Sequence, residues 1–403
     1  MSETRWRDAE AERFEALVVG GGPAGLTTAL LLARAGILTG LVRKAGPVPG
    51  AEVRTTALLD GSIDVLRDLG VWEGLRPKAA PLRVMRLVDD TNRLFRAPTV
   101  TFRAGEIGRD VFGYNIPNHV LNAALEGAAA EAPPLTLIDD LAGDAAITAD
   151  AVTVTTANGR RLSAPLVAAA DGRESRLRDV AGIGAVRWRY DQTAVTLNLA
   201  HTAAHNDIST EFHTLAGPFT LVPLPGRQSS LVAVVRPADA AHLMALDDTA
   251  LALELERRAH SLLGRFTVIS KRAAWPLEGL TPRRFAKNRI ALVGEAAHVI
   301  PPIGAQGLNL GIRDAVALAR LAGGARRSGG DLGGAALTDA YDEARRADVW
   351  SRAFAVDALN RTLLSPFLPA HAIRGLGLWL ADTVGPLRRF LLREGMGAGA
   401  VRS

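Results

Sequence analysis

The sequence predicts an α/β fold: a nucleotide-binding βαβ unit at the N-terminus, a β-rich inserted part, and a helical end. Three observations carry that expectation. A glycine-rich turn separates a short apolar run from a helical pattern within residues 14–42. Two later apolar runs, 166–170 and 289–293, lead into Asp171-Gly172 and Gly294-Glu295. The stretch 193–235 is rich in strand-forming residues and is punctuated at Gly217-Pro218 and Pro225-Gly226.

In chain order, residues 14–19 read as a short buried strand and Gly20-Gly21-Gly22-Pro23-Ala24-Gly25 as a tight turn. Residues 26–35 repeat apolar side chains at helical spacing until Gly36 stops them, and 37–42 form a second apolar strand. Residues 151–156 and 166–170 read as strands. The strand 289–293 precedes a Gly/Pro-rich loop and a helix over about 307–321. Residues 323–334 form a flexible connector. Residues 337–396 read as helical segments broken by Pro366, Pro369 and Pro386.

The chain has 403 residues, too many for one compact core. Hydrophobic residues at 48% and charged residues at 22% give a globular balance rather than a disordered one. The absence of cysteine excludes disulfides, thiolate metal sites, iron–sulfur clusters and CxxC chemistry. Redox work would therefore need a bound organic cofactor. A net charge of +5 favours anionic partners, but no basic block is interleaved with aromatics, so nucleic acid is not expected. Residues 1–15 lack the order of a signal peptide, and no uncharged apolar run reaches the roughly 18 residues of a spanning helix. A cytoplasmic protein is expected, peripheral at most to the inner face of the membrane.

The first motif is Gly20-x-Gly22-x-x-Gly25. Gly20 allows the sharp turn out of the strand, Gly22 lets a pyrophosphate approach the backbone, and Gly25 lets helix and strand pack closely. The helix start adds free N–H groups and a positive dipole end. Such sites carry an acid about 20 residues on, for the ribose hydroxyls. Here the second strand ends Leu41-Val42-Arg43-Lys44. Either Arg43 pairs with a 2′-phosphate, as in an NADP site, or the ribose is held otherwise and Arg43 faces solvent. The later motifs favour the second reading.

Those motifs are Asp171-Gly172-Arg173-Glu174-Ser175-Arg176-Leu177-Arg178, and Gly294-Glu295-Ala296-Ala297-His298 followed by Pro301-Pro302-Ile303-Gly304-Ala305-Gln306-Gly307-Leu308-Asn309. With them the chain resembles flavoprotein aromatic hydroxylases of the para-hydroxybenzoate hydroxylase class. Within that class it is most similar to the FAD-dependent hydroxylases of ubiquinone biosynthesis. Arg54-Thr55-Thr56-Ala57-Leu58, Gly70-Val71-Trp72, Glu211-Phe212-His213-Thr214, the segment 217–225 and Pro386-Leu387-Arg388-Arg389-Phe390 extend the likeness through nearly the whole chain.

The resemblance implies FAD as cofactor and NADH or NADPH as reductant, with Gly20, Gly22 and Gly25 at the pyrophosphate. Arg54 would lie beside the cofactor as a fixed cation, and Asp171 and Gly172 would serve both FAD and the nicotinamide cofactor. Gly294 precedes the residue that bonds the ribityl chain, an aspartate in the class and Glu295 here. Pro302, Gly304 and Gln306 would position the flavin ring. The N–H groups of Gly307, Leu308 and Asn309 would face its N1 and C2=O. No side chain is required as acid, base or nucleophile. The implied reaction puts one atom of O2 onto an electron-rich phenol, a polyprenylated one on the route to ubiquinone.

The resemblance also implies a discontinuous FAD-binding domain over 1–75, 100–182 and 277–330. A substrate domain would cover 76–99 and 183–276, and a helical C-terminal region 331–403. His201, His205 and His213 lie in β-structure without a metal motif, so no metal is expected. The segments 374–381 and 386–393 interleave arginines with apolar residues, which suits either a membrane surface or packing on a protein face. Other ubiquinone-biosynthesis proteins are expected as possible partners. The rival readings are an NADP-dependent reductase without oxygen chemistry, a non-catalytic flavoprotein subunit, and a hydroxylase of a soluble aromatic compound.

Overall fold

The computed structural model describes residues 11–44, 46, 54–91, 98–302 and 305–364. The fully buried run Ala16–Val19 is the third-from-last strand of a six-stranded sheet. The order across that sheet is Ala286–Lys287, Ile290–Leu292, Leu166–Ala169, Ala16–Val19, Thr39–Arg43 and Leu135–Asp139. All neighbours are parallel except the hairpin pair at one edge. Such continuous apolar runs are what a sheet covered on both faces requires. A fully buried leucine such as Leu17 or Leu41 contributes roughly 2 kcal/mol by burial. The strands thus hold the sheet, and their terminal turns are free to be shaped for a ligand.

The helix Pro23–Arg34 starts three residues before the expected position, because the fixed φ of Pro23 suits a first helical turn. It packs on the strands Ala16–Val19 and Thr39–Arg43 of the sheet, and Gln306–Arg327 packs against it. The long helix Ala335–Leu364 lies on Gln306–Arg327 and on the edge hairpin. There Tyr341 Oη donates to the Leu292 carbonyl at 2.7 Å, and Asp342 accepts the Phe285 N–H at 2.6 Å.

A second, larger sheet runs Phe266–Val268, Ala185–His201, Gln228–Val235, Pro218–Leu224, Ile208–His213, Val84–Asp89 and Val100–Arg103, with Ala273–Pro282 also paired to Ala185–His201. Its own core joins Leu197, Phe212, Phe219 and Leu231 to Leu243 and Leu255 of the helices Pro237–Ala245 and Asp248–Arg258. This sheet continues past two boundaries expected from the sequence. Val100–Arg103 is the antiparallel partner of Val84–Asp89, and Pro282 pairs with Ala185, so strand pairing carries it over 84–103 and 185–282. A small sheet of Thr55–Leu59, Gly113–Pro117 and Ala80–Leu82 lies in the chain between the two. The arginine-bearing segments 374–381 and 386–393, and Gly304, lie outside the described residues.

Candidate functional site

The parallel sheet reverses its winding at its first strand: Ala16–Val19 has Thr39–Arg43 on one side and Leu166–Ala169 on the other. Ligands of such sheets lie beyond the carboxyl ends of the strands at that reversal. Gly20, Arg43, Asp171 and Gly294 all sit there, each within two residues of a strand end. The backbone holds them in register, with Gly20 N–H donating to Val42 O at 2.9 Å and Ala170 N–H to Val19 O at 2.8 Å.

The three motif glycines differ in what a side chain would meet. A Cβ on Gly20, whose φ is +123°, would lie 2.0 Å from the Ala170 carbonyl oxygen. A Cβ on Gly25 would lie 1.9 Å from the Gly20 carbonyl oxygen. Around Gly22 there is no atom within 4 Å. Two glycines are therefore demanded by the protein's own packing, while the third faces open space. The helix behind them has no side-chain cap and Pro23 in its first turn, so the N–H groups of Ala24 and Gly25 have no carbonyl one turn back. That is an anion cradle.

Asp171 accepts the Leu177 N–H at 3.3 Å through one oxygen. Its other oxygen is buried with no hydrogen-bond partner. Burial pushes the Asp171 carboxyl above its ordinary value, against the lowering effect of Ser175 and the Leu177 N–H. A buried, unpartnered acceptor is costly without a ligand that donates to it. Gly172, at φ +88°, also faces open space. The open Gly22 cradle and the orphaned Asp171 oxygen fit a bound dinucleotide.

Arg178, which the sequence reading left without a role, is 2% exposed and joins two of the motifs. Its guanidinium donates to the carbonyls of Ala296 and Arg173, each at 3.1 Å. Gly294 has φ +62°, and a Cβ there would lie 3.0 Å from Ala24 Cβ, so this turn packs on the start of the first helix. Glu295 is not a free acceptor. Its Oε2 lies 3.4 Å from both Nε and Nη2 of Arg173, which also reaches Glu278 at 3.1 Å.

At the next turn, Pro302 is exposed and Gln306 begins the helix behind Ala305, an N-cap in the left-handed region at φ +55°. The N–H groups of Gln306, Gly307 and Leu308 lie in its first turn and have no intrahelical acceptor. Of Asn309 only the backbone N–H was expected at the ligand, and its side chain has a role of its own. It is buried, with Oδ1 accepting from Leu59 N–H at 2.9 Å and Ser62 Oγ at 2.7 Å, and Nδ2 donating to Ala57 O and Ala305 O. The side chain pins this turn to the strand Thr55–Leu59 and leaves only backbone to a ligand. Arg54, just before that strand, holds its guanidinium 5.9 Å from the ring centroid of Trp275 in the large sheet. Trp275 carried no motif signal; only the closing of the two sheets brings it to Arg54.

Arg43 does not face solvent, contrary to the favoured sequence reading. Its side chain is 13% exposed and lies between Asp139 and Glu126, at 3.1 Å and 3.3 Å. The histidines serve the β-structure: His201 contacts Ala203 O and Ser229 Oγ, His205 contacts Leu224 O, and His213 contacts Glu211.

Comparison with known proteins agrees with this arrangement. The family described as FAD binding domain matches residues 13–353. The chain is 33% identical to the ubiquinone hydroxylase UbiL of Rhodospirillum rubrum, covering 95% of this chain and 89% of that one. It is 30% identical to the 3-demethoxyubiquinol 3-hydroxylase of Escherichia coli, covering 95% and 98%. Among solved structures, p-nitrophenol 4-monooxygenase PnpA from Pseudomonas putida superposes with a TM-score of 0.78 at 20% identity, over 97% of this chain and 100% of that one. That likeness is one of fold.

Proposed function

Because the chain belongs to the FAD binding domain family, with FAD as its cofactor, we propose that it hydroxylates an aromatic ring with NAD(P)H and O2, and that the ring is that of a polyprenyl phenol in ubiquinone biosynthesis. The observation that carries the reading is the cradle at the strand ends: Gly22 opens onto empty space beside an Asp171 oxygen that lacks a donor. Similarity over nearly full length to two ubiquinone-pathway hydroxylases supports the substrate class.

In this reading the glycine turn and the first turn of the helix Pro23–Arg34 hold the pyrophosphate by N–H groups and dipole. Asp171 accepts from the dinucleotide, and the turn of Gly294 and Glu295 lies along the ribityl chain. The first-turn N–H groups of Gln306, Gly307 and Leu308 stabilise negative charge on the ring system, and Pro302 walls it. Bound FAD supplies the two-electron chemistry that couples NAD(P)H oxidation to transfer of one oxygen atom from O2. The protein's own share is orientation and exclusion of water from the ring, with no side chain acting as nucleophile.

The division into a nucleotide-binding part and a substrate part built on the large sheet belongs to the same proposal. So do contact with a membrane surface through the arginine-bearing C-terminal segments and association with other ubiquinone-biosynthesis proteins. Among the described residues no helix is long and apolar enough to cross a membrane. The deciding experiment is to identify the ubiquinone precursor that accumulates in cells lacking the protein, with phenol-dependent NAD(P)H oxidation by the yellow purified protein alongside. Normal ubiquinone in those cells would refute the substrate assignment.

A further inference from the structure

The place where a dinucleotide fold sets its ribose-binding acid holds Arg43 in this chain. Across the sheet, the register partner of Arg43 on the neighbouring parallel strand is Asp139. Arg43 Nε is 3.1 Å from Asp139 Oδ1, and Arg43 Nη1 is 3.3 Å from Glu126 Oε1. The stem of Arg43 lies against the glycine turn, since a Cβ on Gly21 would be 2.7 Å from Arg43 Cβ and 3.6 Å from its Cδ. Arg43 therefore flanks the dinucleotide cradle, and Asp139 and Glu126 lie beside Arg43.

Their exposures differ in a way that decides which of them meets a ligand. Arg43 is 13% exposed, whereas Asp139 and Glu126 are 53% and 34% exposed. The cation is covered, and although its Nε–H makes no hydrogen bond, two carboxylates within 3.3 Å balance its charge before a phosphate could. Asp139 turns Oδ1 toward Arg43 as an ion pair, and about half of its side chain remains exposed. A carboxylate thus stands at the carboxyl end of the strand beside the one where the acid is missing.

We propose that Asp139 replaces the missing acid and accepts hydrogen bonds from the adenosine ribose hydroxyls of FAD, with Arg43 as the positioning residue that fixes its carboxylate. This rests on the FAD reading and sharpens it to a specificity. Two partly exposed carboxylates around one neutralised arginine repel a 2′-phosphate, so the cradle takes adenosine with free ribose hydroxyls and rejects the NADP type.

The test uses the full chain freed of flavin, with binding read from quenching of flavin fluorescence. ADP is expected to compete with FAD, and ADP carrying an added 2′-phosphate to compete at least about tenfold more weakly, the loss typical of one charged hydrogen-bond partner. D139N is expected to weaken FAD binding by about tenfold. R43Q should weaken it less and widen the discrimination against the 2′-phosphate, and R43K should restore most of the affinity. Equal or tighter competition by the 2′-phosphorylated nucleotide overturns the inference, and so does a D139N affinity within about twofold of the unmutated protein. The competition needs no variant, so a poorly folding D139N leaves it decisive. Failure of the unmutated chain to bind FAD would remove the functional reading itself; binding with the wrong selectivity would remove only this inference.

Discussion

Arg345 Nε donates to Asp314 Oδ1 at 2.7 Å in the interior, with Asp314 fully buried and Arg345 4% exposed. The second oxygen of Asp314 accepts the Gly294 N–H at 2.9 Å and lies 2.8 Å from His298 Nε2. One carboxylate thus binds the helix Ala335–Leu364 to both ends of the turn that carries Glu295. The chain of contacts continues, because Arg345 also pairs with Asp348 at 2.7 Å, Asp348 with Arg352 at 3.0 Å, and Arg352 with Gln306 at 3.3 Å. Residues 341, 345, 348 and 352 form one stripe on that helix. The two turns expected at the flavin are therefore linked through Asp314, Arg345, Asp348 and Arg352.

Removing Arg345 takes away the cation hydrogen-bonded to the buried Asp314, whose other hydrogen-bond contacts are His298 and the Gly294 N–H. R345M is accordingly expected to lose about 3–5 kcal/mol of stability, the usual cost of breaking a buried pair from one side. Denaturant unfolding of the apoprotein measures it. An R345M midpoint equal to that of the unmutated chain would show that the pair contributes nothing.

The same carboxylate gives a pH dependence of known sign. Burial alone would raise the Asp314 carboxyl, but His298 and Arg345 outweigh it and hold it below the ordinary value of 3.8. A group depressed in the folded state contributes stability that is complete above its unfolded value and is lost as pH falls through the folded one. The stability gap between the unmutated chain and D314N should therefore be constant near neutrality and narrow below about pH 4. Acid unfolding of the two proteins, followed by circular dichroism, checks this; a gap that persists unchanged to low pH contradicts it.

What the sequence made legible here is local in origin. The turn of Gly20 to Gly25 and the strands Ala16–Val19 and Leu166–Ala169 announce themselves because each motif and its apolar run are adjacent in the chain. Arg43 was misread as solvent-facing because its partners Asp139 and Glu126 arrive from another strand and a helix far along the chain. Arg54 with Trp275, and Asp314 with Arg345, likewise exist only after the sheets and helices close. Asn309 lies in the opening turns of the helix Gln306–Arg327, and nothing local marks its amide as a pin to Leu59 and Ser62. Periodicity reports which face is buried, not which polar group meets which.

Asp171 separates binding from stability. Its raised carboxyl and its orphaned oxygen mean that the charge costs the apoprotein stability as pH rises through the carboxylate range. D171N keeps an acceptor for the Leu177 N–H and removes the charge. Its apoprotein should melt at or above the temperature of the unmutated one, while its FAD affinity falls by about tenfold or more, as a charged acceptor is lost. Parallel loss of both properties would mean that Asp171 is a structural group only.

Gly22 and Gly25 make the sharpest contrast, because they share a motif and differ in surroundings. A methyl on Gly25 would meet the Gly20 carbonyl oxygen at 1.9 Å, and that oxygen is backbone and cannot swing away. The helix would have to move off the strand, so G25A is expected to cost at least about 2 kcal/mol through overpacking and to lower the apoprotein melting temperature. A methyl on Gly22 meets no protein atom within 4 Å, and Gly22 lies at φ −76°, which alanine adopts freely. G22A should therefore fold and melt like the unmutated apoprotein. It should nevertheless bind FAD far more weakly, because the added methyl projects into the space that the cradle leaves for a pyrophosphate. Flavin titration and thermal melting of the two variants give the answer together: G22A with full FAD affinity would show that the open side of the turn is not where the cofactor lies.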